Sequence, residues 1–282
     1  MSRIAYVNGQ YLPHREAAVH FEDRGYQFSD GVYEVVAVRD GQLVDLEPHF
    51  ERLEYSLGEL GIDAPVSRKV LSMIFDEVIK RNRVTNGIIY LQITRGVAPR
   101  DHGFPKAARP AMVVSARNMP SKDHLRRSGV AVITVPDQRW KRRDIKTVSL
   151  LPNIMAKQQA VEAGAYEALQ VDDDGTVTEG TATNAWIVTD KGELVTRKTD
   201  HSILSGITRL AAKALAASAQ LKLVERPFTV KEAKSAREAF LTSTTSNVMP
   251  IIRIDDVEIN GGEPGPITMR LGELYETHAA GV

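Results

Sequence analysis

The segment IAYVNGQYLP alternates apolar and polar positions around Asn8-Gly9, a dipeptide that favours a tight hairpin, so two short antiparallel strands are predicted there. A strand-like run from Val32 to Val38 follows, closed by a second turn dipeptide, Asp40-Gly41. From Pro48 the period changes. Phe50, Leu53, Leu57 and Leu60 recur at helical spacing, and Gly61 is a plausible stop. A second helix is predicted over Ser67 to Arg81, with Val70, Leu71, Ile74 and Val78 on one face. Residues 87–96 and 111–117 read as strands on either side of VAPRDHGFPKAARP. That loop places Arg100 and His102 among chain-breaking residues, a setting in which functional side chains are often found.

Residues 118–128, NMPSKDHLRRS, are polar and offer no convincing core position. The expected organisation is therefore a smaller N-terminal domain over 1–118, a linker over 119–128 and a C-terminal domain over 129–282. In the last of these, strands are predicted at 129–135, 147–151, 166–171, 176–179, 184–189 and 193–196. Helices are predicted from Asn153 to Ala163, from Ile207 to Ala219 and from Ile267 to His278, with LKLVERP, EAFLT and VMPIIRI as further strands. Helices and strands are mixed in both parts, which points to an α/β and α+β protein of two domains.

Composition narrows the chemistry. The 282 residues carry 36 Lys and Arg against 36 Asp and Glu, and this balance argues against a partner bound by phosphate neutralisation, such as a nucleic acid. A 43% apolar and 26% charged content fits a folded globular chain. With no Cys, disulfides, thiolate metal sites and cysteine nucleophiles are excluded. The seven His are scattered without metal-ligand spacing, so no metal is expected. No apolar run approaches the ~20 residues needed to span a bilayer, and MSRIAYVNGQ turns polar too early for a secretory signal. A soluble, cytoplasmic protein is the expectation. The G-x-S-x-G, H-E-x-x-H, Walker A and G-x-G-x-x-G patterns are all missing.

Four features resist explanation as packing alone. Lys146, in RRDIKTVSLLPN, lies in a segment that reads as a largely buried strand. Turned inward, its ammonium would lose hydration and yield a nucleophilic amine able to form a Schiff base; turned outward, it is an edge-strand charge beside Arg142 and Arg143. Glu179, followed by Gly180 and small hydroxylated residues, either faces a basic ring nitrogen or caps a turn. Gly206, Ile207 and Thr208 open a helix whose N–H groups make an anion site, or a plain helix start. Ser243 and Thr244, in TSTTS, either complete a phosphate cup or form a turn.

A reactive lysine, an acid for a pyridine nitrogen and a phosphate cup are together what a pyridoxal-phosphate enzyme requires. In this order along the chain they resemble the fold-type IV family of such enzymes. The likeness runs through EDRGYQFSDGVYEV (22–35), HFERL (49–53), TRGVAPRDHGFP (94–105), DIKTVSLL, VTEGTATN, GITR and TSTTS. The family includes D-amino acid transaminases, branched-chain amino acid aminotransferases and aminodeoxychorismate lyases. The resemblance implies a C-terminal domain larger than the first, with a mixed barrel-like sheet. It implies pyridoxal 5′-phosphate as cofactor, Lys146 as its Schiff-base lysine and Glu179 as partner of its ring nitrogen. It also implies a phosphate held by Arg52, the backbone at Ile207 and Thr208, and the Thr244 hydroxyl. Lys157 is the rival lysine and is expected to be solvated.

The loop at 98–105 resembles that of D-amino acid transaminases, in which Arg-x-His follows an Ala-Pro or Ser-Pro pair. This implies that Arg100 and His102 reach the neighbouring subunit's site of a homodimer and, with Tyr33, hold the substrate carboxylate. A guanidinium suits that task because it binds a carboxylate through two hydrogen bonds. One departure is visible: Ala182 stands where many relatives have a hydroxyl run, which implies a modest change in cofactor reactivity. The implied reaction is ping-pong transamination of D-amino acids such as D-alanine or D-glutamate with a 2-oxo acid. A branched-chain L-amino acid aminotransferase on the same scaffold is the alternative, and an aminodeoxychorismate lyase a more distant one.

Overall fold

The structure, a computed structural model, describes residues 3–281. The chain divides into two compact units, one running to Pro120 and including Ile145–Ser149, the other made of Ser121–Asp144 and the chain from Leu150 onward.

The first unit is one sheet covered by helices. It contains β1 (Ile4–Val7), β2 (Gln10–Pro13), α1 (Arg24–Phe28), β3 (Gly31–Arg39), β4 (Gln42–Leu43), α2 (Leu46–Leu60), α3 (Arg68–Asn82), β5 (Gly87–Thr94) and β6 (Ala111–Asn118). The strand order is β2-β1-β6-β5-β3-β4, and every pairing is antiparallel. The β1–β2 hairpin turns on Asn8 and Gly9, both at positive φ, as that dipeptide predicts. Period-two alternation along β3 sends Val32, Glu34, Val36 and Val38 to the helix-covered face and Tyr33 to the other. On α2, Phe50, Leu53 and Leu57 are buried and Gly61 ends the helix at φ 60°. On α3, Leu71, Ile74, Phe75 and Val78 are buried, whereas Val70 is 41% exposed and stands off the expected core face. Its position next to the N-cap Ser67, which accepts from the Val70 N–H, places it at the solvent edge of the first turn.

The second unit contains α4 (Asp123–Ser128), β7 (Val130–Pro136), α5 (Leu151–Glu162), β8 (Glu167–Val171), β9 (Val177–Gly180), β10 (Asn184–Val188) and β11 (Leu194–Thr196). It continues with α6 (Ile207–Ser218), β12 (Leu223–Glu225), α7 (Val230–Lys234), β13 (Glu238–Ser243), β14 (Asn247–Ile254), β15 (Val257–Glu258) and α8 (Pro266–Ala279). Its sheet runs β12-β11-β10-β13-β14-β7-β8-β9, with β15 beside β14. The β11–β12, β14–β7 and β7–β8 pairings are parallel and the others antiparallel, so the sheet is mixed. The end strand β9 passes directly to β10 through a turn closed by Gly180 N donating to Thr183 O at 2.7 Å. This return curls the sheet into a half-barrel around Val132, Leu169, Ile187, Leu241 and Met249.

Two expectations about the segments that flank the unit boundaries meet different structure. Residues 123–128 are helical, and Leu125 packs on the second unit's core, so this part of the expected linker is an ordered element. The expected strand at 147–151 is reduced to one antiparallel bridge, Thr147 to Val32, because Leu151 already begins α5 and its next residue, Pro152, has no N–H to give a ladder.

Candidate active site

The chemically competent side chains fall into one group in each unit. In the first, the short stretch 145–149 is laced to the start of β3. Tyr33 N donates to Lys146 O at 3.0 Å, Val148 N donates to Gly31 O at 3.1 Å, and Ser56 Oγ accepts from Lys146 N at 3.2 Å. The main chain around Lys146 is therefore fixed, and the residue as a whole is half-buried, between the inward and outward orientations that the sequence leaves open. Lys146 Nζ lies 4.3 Å from the centre of the Tyr33 ring, in cation–π contact. Tyr33 in turn lies 5.9 Å from Tyr90, its neighbour on the same sheet face, and burial pushes the Tyr90 hydroxyl up to about 12.

One residue along β3, alternation turns Glu34 to the opposite face. There it receives Arg52 Nε at 2.8 Å and Arg52 Nη2 at 2.7 Å, with His49 Nδ1 2.7 Å away. His49, Arg52 and Ser56 are spaced three and four residues apart on α2, so they form a polar stripe beside its apolar one. Burial works against ionisation of Glu34, but the Arg52 guanidinium and the His49 hydrogen bond outweigh it and hold the carboxyl at about 2. Burial also pushes His49 down, which favours its neutral form. Arg52, expected on a phosphate, is thus a buried guanidinium whose orientation Glu34 fixes. Glu34, His49 and Ser56 are not among the residues that the sequence singles out, although buried polar spacing on an amphipathic helix is a legible signal.

In the second unit Glu179 is buried on β9. Asn184 Nδ2 donates to its Oε2 at 2.9 Å, Leu204 N donates to the same oxygen at 3.1 Å, and Arg139 Nη1 pairs with Oε1. Arg139 is not Glu179's alone: its Nε and Nη2 donate to Asp137 at 3.0 and 2.7 Å. Burial opposes ionisation of Asp137 too, yet Arg139 holds it below the usual carboxylate range, whereas burial pushes the Glu179 carboxyl up. Two carboxylates therefore share one guanidinium, and Glu179, which receives it on one oxygen only, is the less neutralised. A cationic ring N–H is the kind of group this acceptor fits.

The turn from β9 to β10 has no room for larger residues. A Cβ on Gly180 would meet Thr183 Oγ1 at 2.0 Å, and one on Gly206 would meet Asn184 Oδ1 at the same distance. Gly206 opens α6 with no side-chain cap, which leaves the N–H groups of Ile207 and Thr208 directed past the helix end. The helix is held by Arg209, fully buried, whose Nη2 donates to Glu225 at 2.6 Å and to Arg197 O at 2.7 Å. Thr208 Oγ1 lies 3.5 Å from Tyr275 Oη. Thr244 lies half-buried in the turn between β13 and β14, next to Ser243, whose buried Oγ has no partner among the described residues. An uncapped helix start and an orphaned hydroxyl fit a phosphate dianion, so the residues present match both ends of pyridoxal 5′-phosphate.

Arg100 and His102 are exposed in the loop between β5 and β6, gathered on Phe28 rather than on Tyr33. The Arg100 guanidinium lies 4.6 Å from the Phe28 ring centre and the His102 ring 5.6 Å from it. Lys157, expected to be solvated, is 43% exposed but tethered, since its Nζ donates to Tyr166 O and lies 3.8 Å from Glu167. On α5 the large apolar side chains Leu151, Ile154, Met155 and Val161 face solvent and only small Ala156 and Ala160 are buried. Among the described residues no cluster of His, Asp or Glu is arranged to hold a metal ion, and no helix is long and apolar enough to cross a membrane.

The fold and these two groups define the class. Residues 31–254 match the amino-transferase class IV family, and the chain belongs to it. It is 40% identical to the D-alanine aminotransferase of Staphylococcus aureus (strain N315), over 97% of this chain and 96% of that protein. It is 41% identical to the D-alanine aminotransferase of Bacillus licheniformis, over 93% of this chain and 92% of that protein. Among solved structures, a T.th. branched-chain amino acid aminotransferase with pyridoxamine 5′-phosphate superposes with a TM-score of 0.90 at 25% identity, covering 99% of this chain and 95% of that one. The branched-chain aminotransferase of Thermoproteus uzoniensis with norvaline gives 0.89 at 26% identity, covering 100% and 96%.

Proposed function

We propose that this chain transaminates D-amino acids such as D-alanine or D-glutamate with a 2-oxo acid acceptor, using pyridoxal 5′-phosphate in a ping-pong sequence. The observation that carries the reading is the likeness, near 40% identity and almost end to end, to D-alanine aminotransferases, against 25–26% to branched-chain enzymes of the same fold. When bound, the cofactor supplies an aldehyde that condenses with amines and a ring that accepts the electron pair released at the substrate's α-carbon.

The residues of this chain do the rest. Lys146 would carry the cofactor through Nζ and, once displaced by substrate, would take the α-hydrogen as a proton on that atom and deliver it to the cofactor's former aldehyde carbon. Its fixed main chain limits where Nζ can deliver that proton. Glu179 accepts the ring N–H and keeps it protonated. Arg52, the N–H groups of Ile207 and Thr208, and the Thr244 hydroxyl bind the phosphate. Tyr33, with Arg100 and His102 of a second copy, holds the substrate carboxylate. That last assignment is supported by the placement of Arg100 and His102 on Phe28 while Tyr33 stands against Lys146. The working form is then a homodimer, and the cytoplasm is the compartment in which such a chain acts.

A donor panel tests the reading. With 2-oxoglutarate or pyruvate as acceptor, D-alanine and D-glutamate are expected to turn over much faster than L-leucine or L-valine. A clear preference for L-leucine would transfer the chain to the branched-chain group.

A further inference from the structure

An exposed loop that presents Arg100 and His102 to a substrate must hold them in register before the substrate arrives, or binding loses the free energy of ordering them. The structure contains a device for this beneath the loop. Arg24, in α1, is only 3% exposed, yet none of its side-chain donors is spent within its own helix. Its Nε donates to Asp30 Oδ2 at 2.8 Å, its Nη1 to Asp101 O at 2.7 Å, and its Nη2 to His102 O at 3.5 Å. Asp30 is itself fixed from the other side by Arg95, whose Nε and Nη2 donate to it at 2.7 and 3.0 Å. Arg95 also grips the carbonyls of Leu60 and Gly61, at 2.7 and 2.9 Å, so the pair is anchored to the end of α2.

The side-chain layer above repeats the pattern. The Phe28 ring has Arg24 at 4.8 Å and Arg100 at 4.6 Å from its centre, with the His102 ring at 5.6 Å. The loop's stem is laced down as well: Thr94 Oγ1 donates to Asp23 Oδ2 at 2.9 Å, and Arg24 N donates to Gly96 O at 2.9 Å. Gly96 sits at φ 97°, where a Cβ would meet Arg109 O at 1.9 Å, so the chain enters the loop along one path. A buried arginine that served packing alone would be satisfied by its carboxylate. Here two successive main-chain carbonyls, one of them belonging to His102 itself, accept from the same rigid fork.

We propose that Arg24 is a positioning residue for the substrate carboxylate: held by Asp30, it clamps the Asp101 and His102 carbonyls and so sets the stance of Arg100 and His102. This rests on the carboxylate role proposed above for those two residues. Because one loop serves both halves of a ping-pong reaction, loosening it raises the KM of donor and acceptor together, and it leaves the chemistry at Lys146 alone.

The test is steady-state kinetics of the cofactor-loaded protein with D-alanine and 2-oxoglutarate, for Arg24→Gln, Arg24→Lys and Arg100→Leu side by side. Arg24→Gln is expected to raise both KM values about tenfold while kcat stays within about twofold, the loss that one or two unordered side chains bring. Arg24→Lys, which keeps the charge and reaches one carbonyl, is expected to show a smaller rise of about threefold, and it carries the test if the Gln variant fails to fold. Unchanged KM values in the Arg24 variants, or a fall in kcat alone, would overturn the clamp while a raised KM in Arg100→Leu kept the carboxylate reading intact. Unchanged KM values in Arg100→Leu as well would overturn both.

Discussion

Glu34 and Glu179 are both buried carboxylates beside a guanidinium, yet their acidities move in opposite directions. Glu34 receives Arg52 through two hydrogen bonds and has His49 on one oxygen, so the ion pair is closed and its carboxyl sits at about 2. Glu179 shares Arg139 with Asp137, receives the guanidinium on one oxygen only, and is pushed up by burial. The number of guanidinium contacts per carboxylate, rather than burial itself, separates the two. One acid is complete within the chain and serves structure. The other is left with capacity for one more cationic donor, the place proposed above for a cofactor ring nitrogen.

Removing the closed pair should cost the most. Glu34→Gln removes the carboxylate that Arg52 pairs with, and breaking a buried ion pair costs about 3–5 kcal/mol; denaturant unfolding of the cofactor-free protein at neutral pH reads this directly. The same variant changes the acid limb. Glu34 is depressed in the folded protein from an ordinary 4.5 to about 2, so its contribution is fully present above 4.5 and lost as pH falls from there through 2. Integrated over that span it is worth about 3 kcal/mol. The wild-type stability curve should fall across this window and that of Glu34→Gln should be flatter. Identical slopes would show that Glu34 is not held ionised.

The open pair should respond in rate before stability. In Glu179→Gln, Arg139 keeps Asp137 as its counter-ion, so folding and cofactor retention should survive while kcat falls about a hundredfold, the scale of losing one placed charge at a reacting group. An unchanged kcat would remove Glu179 from its role. The smallest effect is expected from Asn184→Ala, which withdraws one of the donors on Glu179 Oε2. A hydrogen bond to a charged group is worth about 1.5–3 kcal/mol, and calorimetric melting should show a loss in that range with Glu179 still in place.

Much of the architecture was legible in the chain. The Asn8-Gly9 hairpin, the helices ended by Gly61 and begun by Gly206, and the alternation along 32–38 follow local rules of turns, caps and period, and each stands where those rules put it. What was not legible depends on contacts distant in sequence. The Glu34–Arg52 pair joins residues 18 apart and the Arg139–Glu179 pair residues 40 apart, and a polar stripe on one helix does not say which distant carboxylate it meets. The stretch 147–151 is strand-like in composition, but it makes one bridge because Leu151 and Pro152 already belong to a helix. Apolar neighbours single out Lys146 in the sequence, whereas the structure holds its backbone and leaves the residue half-buried. Leu125 lies in a segment too polar to suggest a core position, and it nonetheless packs on the second unit's core.

The central claim is that Lys146, not the tethered Lys157, is the amine joined to the coenzyme. Borohydride reduction of the pyridoxal-phosphate-loaded protein, followed by proteolysis and mass mapping, tests it most directly. The account predicts one modified residue, Lys146, in the peptide that contains Asp144 and Ile145. A label on Lys157 or any other lysine, or none at all, would contradict it.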